Sequence, residues 1–229
     1  MRHSLLSARR PLAALALAAA ASSAASATLP ATAGAQMPGV PVLQGPFRNP
    51  GVTVGAFGAG ADGTTAAGAA VAIVPSLRWL QFTLGGGYAD AGSSVATYGG
   101  RAAVSLSRFV PFLRSDGLGV AAFAGIGGGI RDSVTLLSVP AGVTVGYRRV
   151  IGTRVLSAYA SPFYSYSQSQ GQGQDAGGRG LIRVSGAVDF SLTRRIGITV
   201  GAEGGATAKD RQPGPRTTLF GAGISFALR

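Results

Sequence analysis

The final segment of the chain, residues 217–229, alternates between two kinds of side chain. One set is apolar, namely Phe220, Ala222, Ile224, Phe226 and Leu228, and the positions between them are Leu219, Gly221, Gly223, Ser225 and Ala227. A period of two places successive side chains on opposite faces of a β-strand. Because a sheet that ended on this strand would leave an unpaired edge, the segment favours a sheet that closes on itself.

Similar segments fill the chain from Gly51 onward, with turn-type residues between them and no helical periodicity of useful length. The predicted strands are 51–60, 66–75, 79–89, 97–107, 118–131, 133–148, 154–167, 180–192, 196–207 and 217–228. Most are long enough to cross a bilayer as tilted strands, which takes roughly 9 to 11 residues. The fold class is therefore predicted as all-β: a closed antiparallel transmembrane β-barrel in an up-and-down meander, with about ten strands and eight as the alternative.

The turn between the eighth and ninth strands predicts a register. If Leu192 pairs with Ile196, then Val188 lies opposite Val200 and Ser185 lies opposite Glu203. Both faces keep their character across this pairing, and a one-residue slip would reverse them. The same register places Arg183 diagonally from Glu203.

The N-terminal region is set apart from the strands. Three arginines precede an uncharged Leu/Ala run at 12–21, and Ala33-Gly34-Ala35 offers a cleavage site, with Ala25-Ser26-Ala27 as a second one. This pattern predicts a secretory signal peptide over 1–35. Residues 36–50 carry four prolines and are predicted as an extended lead-in, followed by the barrel over 51–229.

Charge and composition exclude several classes of function. Charged residues make up 12% of the chain, about half of the roughly 25% expected for a soluble domain. Either the surface does not face water or the chain is of low complexity. The net charge is +12; the three arginines of the signal peptide leave 17 basic against 8 acidic residues, or +9. Nucleic acid is not an expected partner, because the arginines are spread over turns and Lys209 is the single lysine.

Catalysis is not expected either. The single histidine, His3, lies in the predicted signal peptide, and the chain has no cysteine. A base that titrates near neutrality and the usual zinc ligands are therefore absent from the mature sequence. The prediction is a protein that is not an enzyme, with no catalytic, cofactor or metal site.

The connections between strands alternate in character. Arginine-rich connections at 75–78, 107–117, 148–154 and 192–195 are predicted on the periplasmic side, with the N-terminus. The connections at 61–64, 88–97, 130–133, 167–180 and 208–216 each contain an aspartate and are predicted as outer loops. Loop 167–180 is the candidate surface for contact with an extracellular ligand.

Four charged side chains fall on inward faces and form the candidate lumen network: Arg101, Arg183, Asp189 and Glu203. One interpretation is a mutually satisfied structural network, which suits the small interior of a barrel of eight to ten strands. The other is that these groups line a narrow pore, since the inward faces are rich in Gly, Ala and Ser.

The chain resembles the small outer-membrane β-barrel proteins that include the OmpA membrane domain, OmpX and OmpW. The resemblance covers residues 51–228 as architecture. The last strand also resembles the assembly signal of those proteins, through Gly223, Phe226 and Leu228, although Arg229 extends beyond it. The resemblance implies an outer-membrane location, with membrane lipid and the barrel-insertion machinery as partners.

Three functions follow as hypotheses. The first is a non-enzymatic outer-membrane barrel with a structural or surface-interaction role. The second is a narrow pore that passes small solutes through a glycine-rich lumen. The third is a soluble periplasmic barrel that binds a ligand inside, which the outward rows of Leu, Val, Ile and Phe oppose.

Overall fold

The chain folds into ten antiparallel strands. The computed structural model describes residues 43–47, 49–61, 64–90, 94–110, 113, 117–131, 134–170, 178–207 and 218–228. The predicted signal peptide, most of the predicted lead-in and Arg229 lie outside these residues. The strands are β1 (Gly51–Ala61), β2 (Thr64–Val74), β3 (Leu80–Asp90), β4 (Ser94–Ser105), β5 (Leu118–Arg131), β6 (Val134–Ile151), β7 (Arg154–Gln170), β8 (Gly178–Ser191), β9 (Ile196–Thr207) and β10 (Leu219–Leu228).

Each strand pairs with its neighbours in sequence, and β1 pairs with β10 to close the barrel. The closing ladder runs from Val52 opposite Leu228 to Gly60 opposite Phe220. Closure satisfies the backbone groups of the first and last strands, so the described sheet has no free edge. The prediction of a closed up-and-down barrel of ten strands is confirmed.

The register predicted for β8 and β9 is also confirmed. Val188 lies opposite Val200 and Ser185 lies opposite Glu203. At the turn, the Leu192 backbone N–H donates to the Ile196 carbonyl oxygen at 2.9 Å. The alternation of faces was therefore sufficient to fix this pairing.

The exterior of the barrel is apolar along every strand with a clear alternation. On β6 the exposed row is Leu137, Val139, Ala141, Val143 and Val145, and on β10 it is Phe220, Ala222, Ile224, Phe226 and Leu228. The ten residue steps from Leu137 to Tyr147 extend about 34 Å along the strand, which a tilt of about 40° reduces to about 26 Å. This height matches the apolar band of about 25 Å on outer-membrane barrels.

Tyrosines interrupt this exterior near one end of the barrel, where Tyr88, Tyr98, Tyr164 and Tyr166 are exposed. Two of these rings lie over glycines of a neighbouring strand: the Tyr98 hydroxyl lies beside Gly128, and the Tyr164 ring lies over Gly180. Amphipathic rings of this kind are typical of the boundary between the apolar band and the headgroup region.

The two ends of the barrel differ in their connections. The turn end carries the first residue of β1, the last residue of β10 and the connections β2–β3, β4–β5, β6–β7 and β8–β9, including a 3-10 helix at Leu106–Arg108. The loop end carries the other five connections, most of whose residues lie outside the described part of the chain. Strand β7 extends to Gln170 and β8 begins at Gly178, so the predicted loop 167–180 is shorter than expected. No helix in the described ranges is long and apolar enough to cross a membrane.

Strands β1, β2 and β7 are rich in small residues, and each of them has an inward face. Phe57 of β1, Ala70 and Ala72 of β2, and Tyr159 of β7 are all buried. Phe57, Ala70 and Ala72 pack together around one further side chain, Leu43, which belongs to no strand.

Candidate functional site in the barrel lumen

The described part of the lead-in, residues 43–47, lies inside the barrel. Leu43 is fully buried against Phe57 and Ala70, and its carbonyl oxygen accepts a hydrogen bond of 2.7 Å from the Gln81 side-chain amide. From Leu43 the chain runs to Pro50 and enters β1 at the turn end. The described lead-in residues therefore occupy the lumen from about mid-depth to the turn end.

Arg101 of β4 holds the next residue, Gln44. Its guanidinium donates at 2.7 Å to the Gln44 side-chain oxygen and at 2.8 Å to the Thr144 hydroxyl on β6. The same group lies over the Phe123 ring of β5, 3.6 Å from the ring centroid. Arg101 and Gln44 are both buried, and a hydrogen bond to a buried charged group contributes about 1.5 to 3 kcal/mol.

Phe47 occupies a niche made by two glycines. Gly119 and Gly146 lie directly opposite each other on β5 and β6. A Cβ added to Gly146 would lie 2.9 Å from the Phe47 ring, and one added to Gly119 would lie closer still. Any larger residue at either position would displace the ring, so these glycines provide space for the lead-in.

Gly45 completes the contact on the opposite wall. A Cβ built on Gly45 would lie 3.0 Å from the Tyr159 ring of β7 and 3.3 Å from a carboxylate oxygen of Asp189 on β8. Together the described lead-in residues touch all of the strands from β1 to β8. The lead-in is therefore a central filling of the lumen and not a strand added to one wall.

The part of the lumen beside β8, β9 and β10 contains a cavity of about 390 Å³ at the turn end. Phe47, Asn49 and Pro50 form its wall on the side of the lead-in. Its other walls carry polar and apolar groups in about equal measure, and three arginines line it: Arg148, Arg194 and Arg195. This volume lies within the range of about 300 to 1,000 Å³ typical of small-molecule sites.

The four charged residues predicted for the lumen are inward, and the structure divides them among three groups. Arg183 and Glu203 form an ion pair, with 2.9 Å between Nε and Oε1. Asp189 accepts a hydrogen bond of 2.6 Å from the Thr199 hydroxyl. Arg101 contacts Gln44, Thr144 and Phe123 and belongs to neither group.

Hydroxyl groups fill much of the remaining inward surface. The Ser138 hydroxyl of β6 forms hydrogen bonds with two hydroxyls of β7, that of Ser165 at 2.6 Å and that of Ser167 at 2.9 Å. The hydroxyl oxygens of Thr144 and Ser161 are hydrogen-bonded at 2.8 Å. The second carboxylate oxygen of Glu203 and the hydroxyl of Ser185 opposite it are buried without a hydrogen-bond partner.

This arrangement suits occlusion of the lumen by the chain itself. The described residues contain no group of three or more His, Cys, Asp or Glu side chains that could hold a metal ion. The side chains around the lead-in are amide, hydroxyl, guanidinium and aromatic groups, which bind a peptide backbone and its side chains. The described contacts therefore position the segment in the lumen.

The contacts between the lead-in and the barrel wall were not predicted from the sequence, above all those of Leu43 with Gln81 and of Gln44 with Arg101. The seat of the Phe47 ring on the glycine pair was not predicted either. Prolines showed that this region is not a strand but carried no information on its location. One signal was available: Gly119 and Gly146 leave an inward gap at the same level of adjacent strands, and a neighbouring group must fill such a gap.

The residues of the predicted assembly signal lie on both faces of β10. Phe226 and Leu228 are on the exterior, and Gly223 lies on the inward face between Phe57 and Thr199. Their role in assembly remains a prediction.

No protein-family model and no curated protein matches this chain. Among solved structures, the N-terminal β-barrel domain of Pseudomonas aeruginosa OprF is similar at 11% identity and a TM-score of 0.37, over 77% of this chain and 96% of that chain. The β domain of the Bordetella autotransporter BrkA is similar at 14% identity and a TM-score of 0.49, over 78% and 99%.

Neisserial surface protein A is similar at 13% identity and a TM-score of 0.35, over 77% of this chain and 96% of that chain. At these identities the likeness concerns fold alone. The closed barrel of ten antiparallel strands with an apolar exterior is the architecture of a small outer-membrane β-barrel protein.

Proposed function

We propose that this protein is a non-enzymatic barrel of the outer membrane with a structural or surface-interaction role, and that its own lead-in keeps the lumen closed. A signal peptide over 1–35 exports the chain, and the turn end faces the periplasm. The observation that carries the proposal is the bond between Arg101 and Gln44 in mid-lumen, at 2.7 Å.

Three features support a closed lumen. Leu43 and Gln44 are buried, so neither side chain borders an open channel. Phe47 is seated in a niche with no space for a Cβ. The lead-in contacts come from strands around most of the circumference, which leaves the cavity at the turn end as a pouch on one side.

The exterior supports the outer-membrane location. Leu84, Ile182 and Val200 are each more than half exposed, and apolar rows of this kind would aggregate in water. The third hypothesis, a soluble periplasmic barrel, would require these rows to be covered. Fractionation of cells separates the two: the proposal expects the protein with the outer membrane, and recovery from the soluble periplasm would contradict it.

The narrow pore is the alternative function. It requires the lead-in to leave the lumen, because Gln44 and Phe47 occupy the passage between β4 and β6. Planar-bilayer recordings of the refolded protein discriminate between the two functions. Our proposal expects no steady conductance from the wild type and a measurable conductance after deletion of residues 43–47.

Heat-modifiable migration provides the folding control for both proteins. Steady single-channel conductance from correctly folded wild type would support the pore and contradict a closed barrel. Silence of both proteins would show that the lead-in is not what closes the lumen.

A further inference from the structure

The cavity at the turn end has the composition of an anion site. Three arginines line it: the half-buried Arg148 on β6, and the exposed Arg194 and Arg195 on the turn between β8 and β9. Asp189 is the single described carboxylate on the cavity wall, and it already accepts a hydrogen bond from Thr199. The described lining therefore has an excess of two positive charges.

The turn that carries two of these arginines is ordered by its own hydrogen bonds. The Thr193 hydroxyl accepts from the backbone N–H groups of Arg195, at 3.1 Å, and Ile196, at 3.0 Å. The Arg195 carbonyl accepts from the Ala227 N–H of β10 at 2.8 Å. A fixed backbone lowers the entropic cost of presenting the two side chains to a ligand.

Arg148 reaches the cavity from the inward face of β6. Its backbone N–H donates to the Gly117 carbonyl at 2.6 Å, and its side chain is half-buried. Arg149, the next residue, lies on the outward face of the same strand and is exposed. The two arginines thus lie at the same end of β6, with Arg148 on the inward face and Arg149 on the outward face.

We propose that this cavity binds a phosphate monoester that enters from the turn end. Guanidinium groups match phosphate oxygens in pairs. A phosphate monoester carries about two negative charges and three acceptor oxygens at neutral pH, which matches the net charge of the lining better than a single carboxylate. Hydroxyl groups of Ser157, Ser191 and Thr193 on the same walls can donate hydrogen bonds to the ligand.

The site does not depend on the proposed function, because it requires only the cavity. A phosphate monoester could come from a free solute or from the headgroup of phosphatidic acid, and one experiment separates these sources. Phosphorus NMR line broadening of glycerol 3-phosphate is measured with the full protein in phospholipid-free micelles. A second arm measures enrichment of phosphatidic acid over phosphatidylcholine around the protein in mixed micelles.

The test variant is Arg194→Gln with Arg195→Gln, and the matched control is Arg149→Gln. We expect about tenfold weaker binding from the test variant, since it removes charge-assisted hydrogen bonds, and little change from the control. Broadening of the soluble probe identifies a free ester, and dependence on the same arginines in the lipid arm alone identifies a headgroup. Absence of binding in both arms, or equal loss in Arg149→Gln, would overturn the proposal.

Heat-modifiable gel migration shows that each variant is folded, so that a loss of binding can be attributed to the changed site. Arg148→Gln, which alters the opposite wall of the cavity, serves as an independent variant and should weaken binding in the same arm. Conductance of the wild type would contradict the closed lumen without affecting this result, so the two failures are distinguishable.

Discussion

The guanidinium of Arg101 donates a hydrogen bond of 2.7 Å to the side-chain oxygen of Gln44, which joins strand β4 to the lead-in. No described carboxylate lies within ion-pair distance of Arg101. The charge is instead balanced by two polar oxygens and the face of Phe123. This buried guanidinium receives one of its two short hydrogen-bond acceptors from the lead-in and the other from β6, so the barrel wall and the lumen filling stabilise each other.

Arg101→Met should lower the free energy of unfolding by about 2 to 4 kcal/mol, because it leaves buried oxygens without their donor. Gln44→Leu should have a smaller effect, and the double variant should reveal a coupling of about 1.5 to 3 kcal/mol. Urea unfolding in lipid vesicles measures all three. Arg149→Met, on the exposed exterior, is the control and should change stability by less than about 0.5 kcal/mol. Additive effects of the two substitutions would contradict a direct bond.

Replacement of Arg183 alone should lower the free energy of unfolding more than replacement of both Arg183 and Glu203. Arg183→Leu leaves Glu203 buried with no cation, which typically costs about 3 to 5 kcal/mol. Replacement of both residues by leucine should recover most of that loss, since no buried charge remains. The measurement is again urea unfolding of the three variants. If the double variant is as unstable as Arg183→Leu, the cost comes from packing and not from the charge.

The niche formed by Gly119 and Gly146 predicts that a second substitution can offset the destabilisation caused by a larger residue there. Gly146→Val should expel the Phe47 ring and destabilise the protein by about 1 to 3 kcal/mol, the usual cost of overpacking. Phe47→Ala should restore part of this loss, because it vacates the volume that valine needs. Protease cleavage within residues 43–50 reports release of the lead-in. Gly58→Val is the control, since Gly58 faces outward with its nearest atom 3.9 Å from a built Cβ. Identical effects of Phe47→Ala with and without Gly146→Val would reject the niche.

The wall of the barrel could be predicted from the sequence, and its contents could not. Period-two alternation is a local property, so the ten strands and the pairing of Ser185 with Glu203 followed from residue order. The diagonal placement of Arg183 beside Glu203 followed from that register, and the structure shows that the two form an ion pair. By contrast, the location of the described lead-in depends on contacts that are distant in sequence. Gln81 donates to the Leu43 carbonyl from 38 positions away, and Arg101 donates to Gln44 from 57 positions away.

The presence of the lead-in inside the lumen was not predicted, because the only sequence signal for it is a pair of positions without side chains. Gly119 and Gly146 have no side chain to indicate a partner, and glycines in strands have several other uses. Only the pairing of the two glycines across β5 and β6 makes the gap large enough for an aromatic ring. The division of the four inward charges into separate groups depends in the same way on three-dimensional position.

The closing strand β10 predicts a contrast between its two faces. Phe226→Asp places a charge on the lipid-facing exterior and should abolish outer-membrane assembly, because charge is unfavourable in the apolar band. Ser225→Asp, one residue away on the inward face beside the polar cavity, should assemble normally. Heat-modifiable migration of outer-membrane fractions compares the two. Normal assembly of Phe226→Asp would show that this strand does not face lipid.

The presence of the lead-in within the lumen can be measured directly, because the chain has no cysteine of its own. A Cβ on Gly45 would lie 3.3 Å from an Asp189 carboxylate oxygen, so Gly45→Cys and Asp189→Cys place two thiols close together. Val188→Cys, on the exterior face of the same strand, provides the control partner. We predict that oxidation or a short bis-maleimide links residues 45 and 189 in the folded barrel and does not link 45 with 188. A folded, heat-modifiable barrel in which the 45–189 pair links no more than the control would contradict a lumen closed by the lead-in.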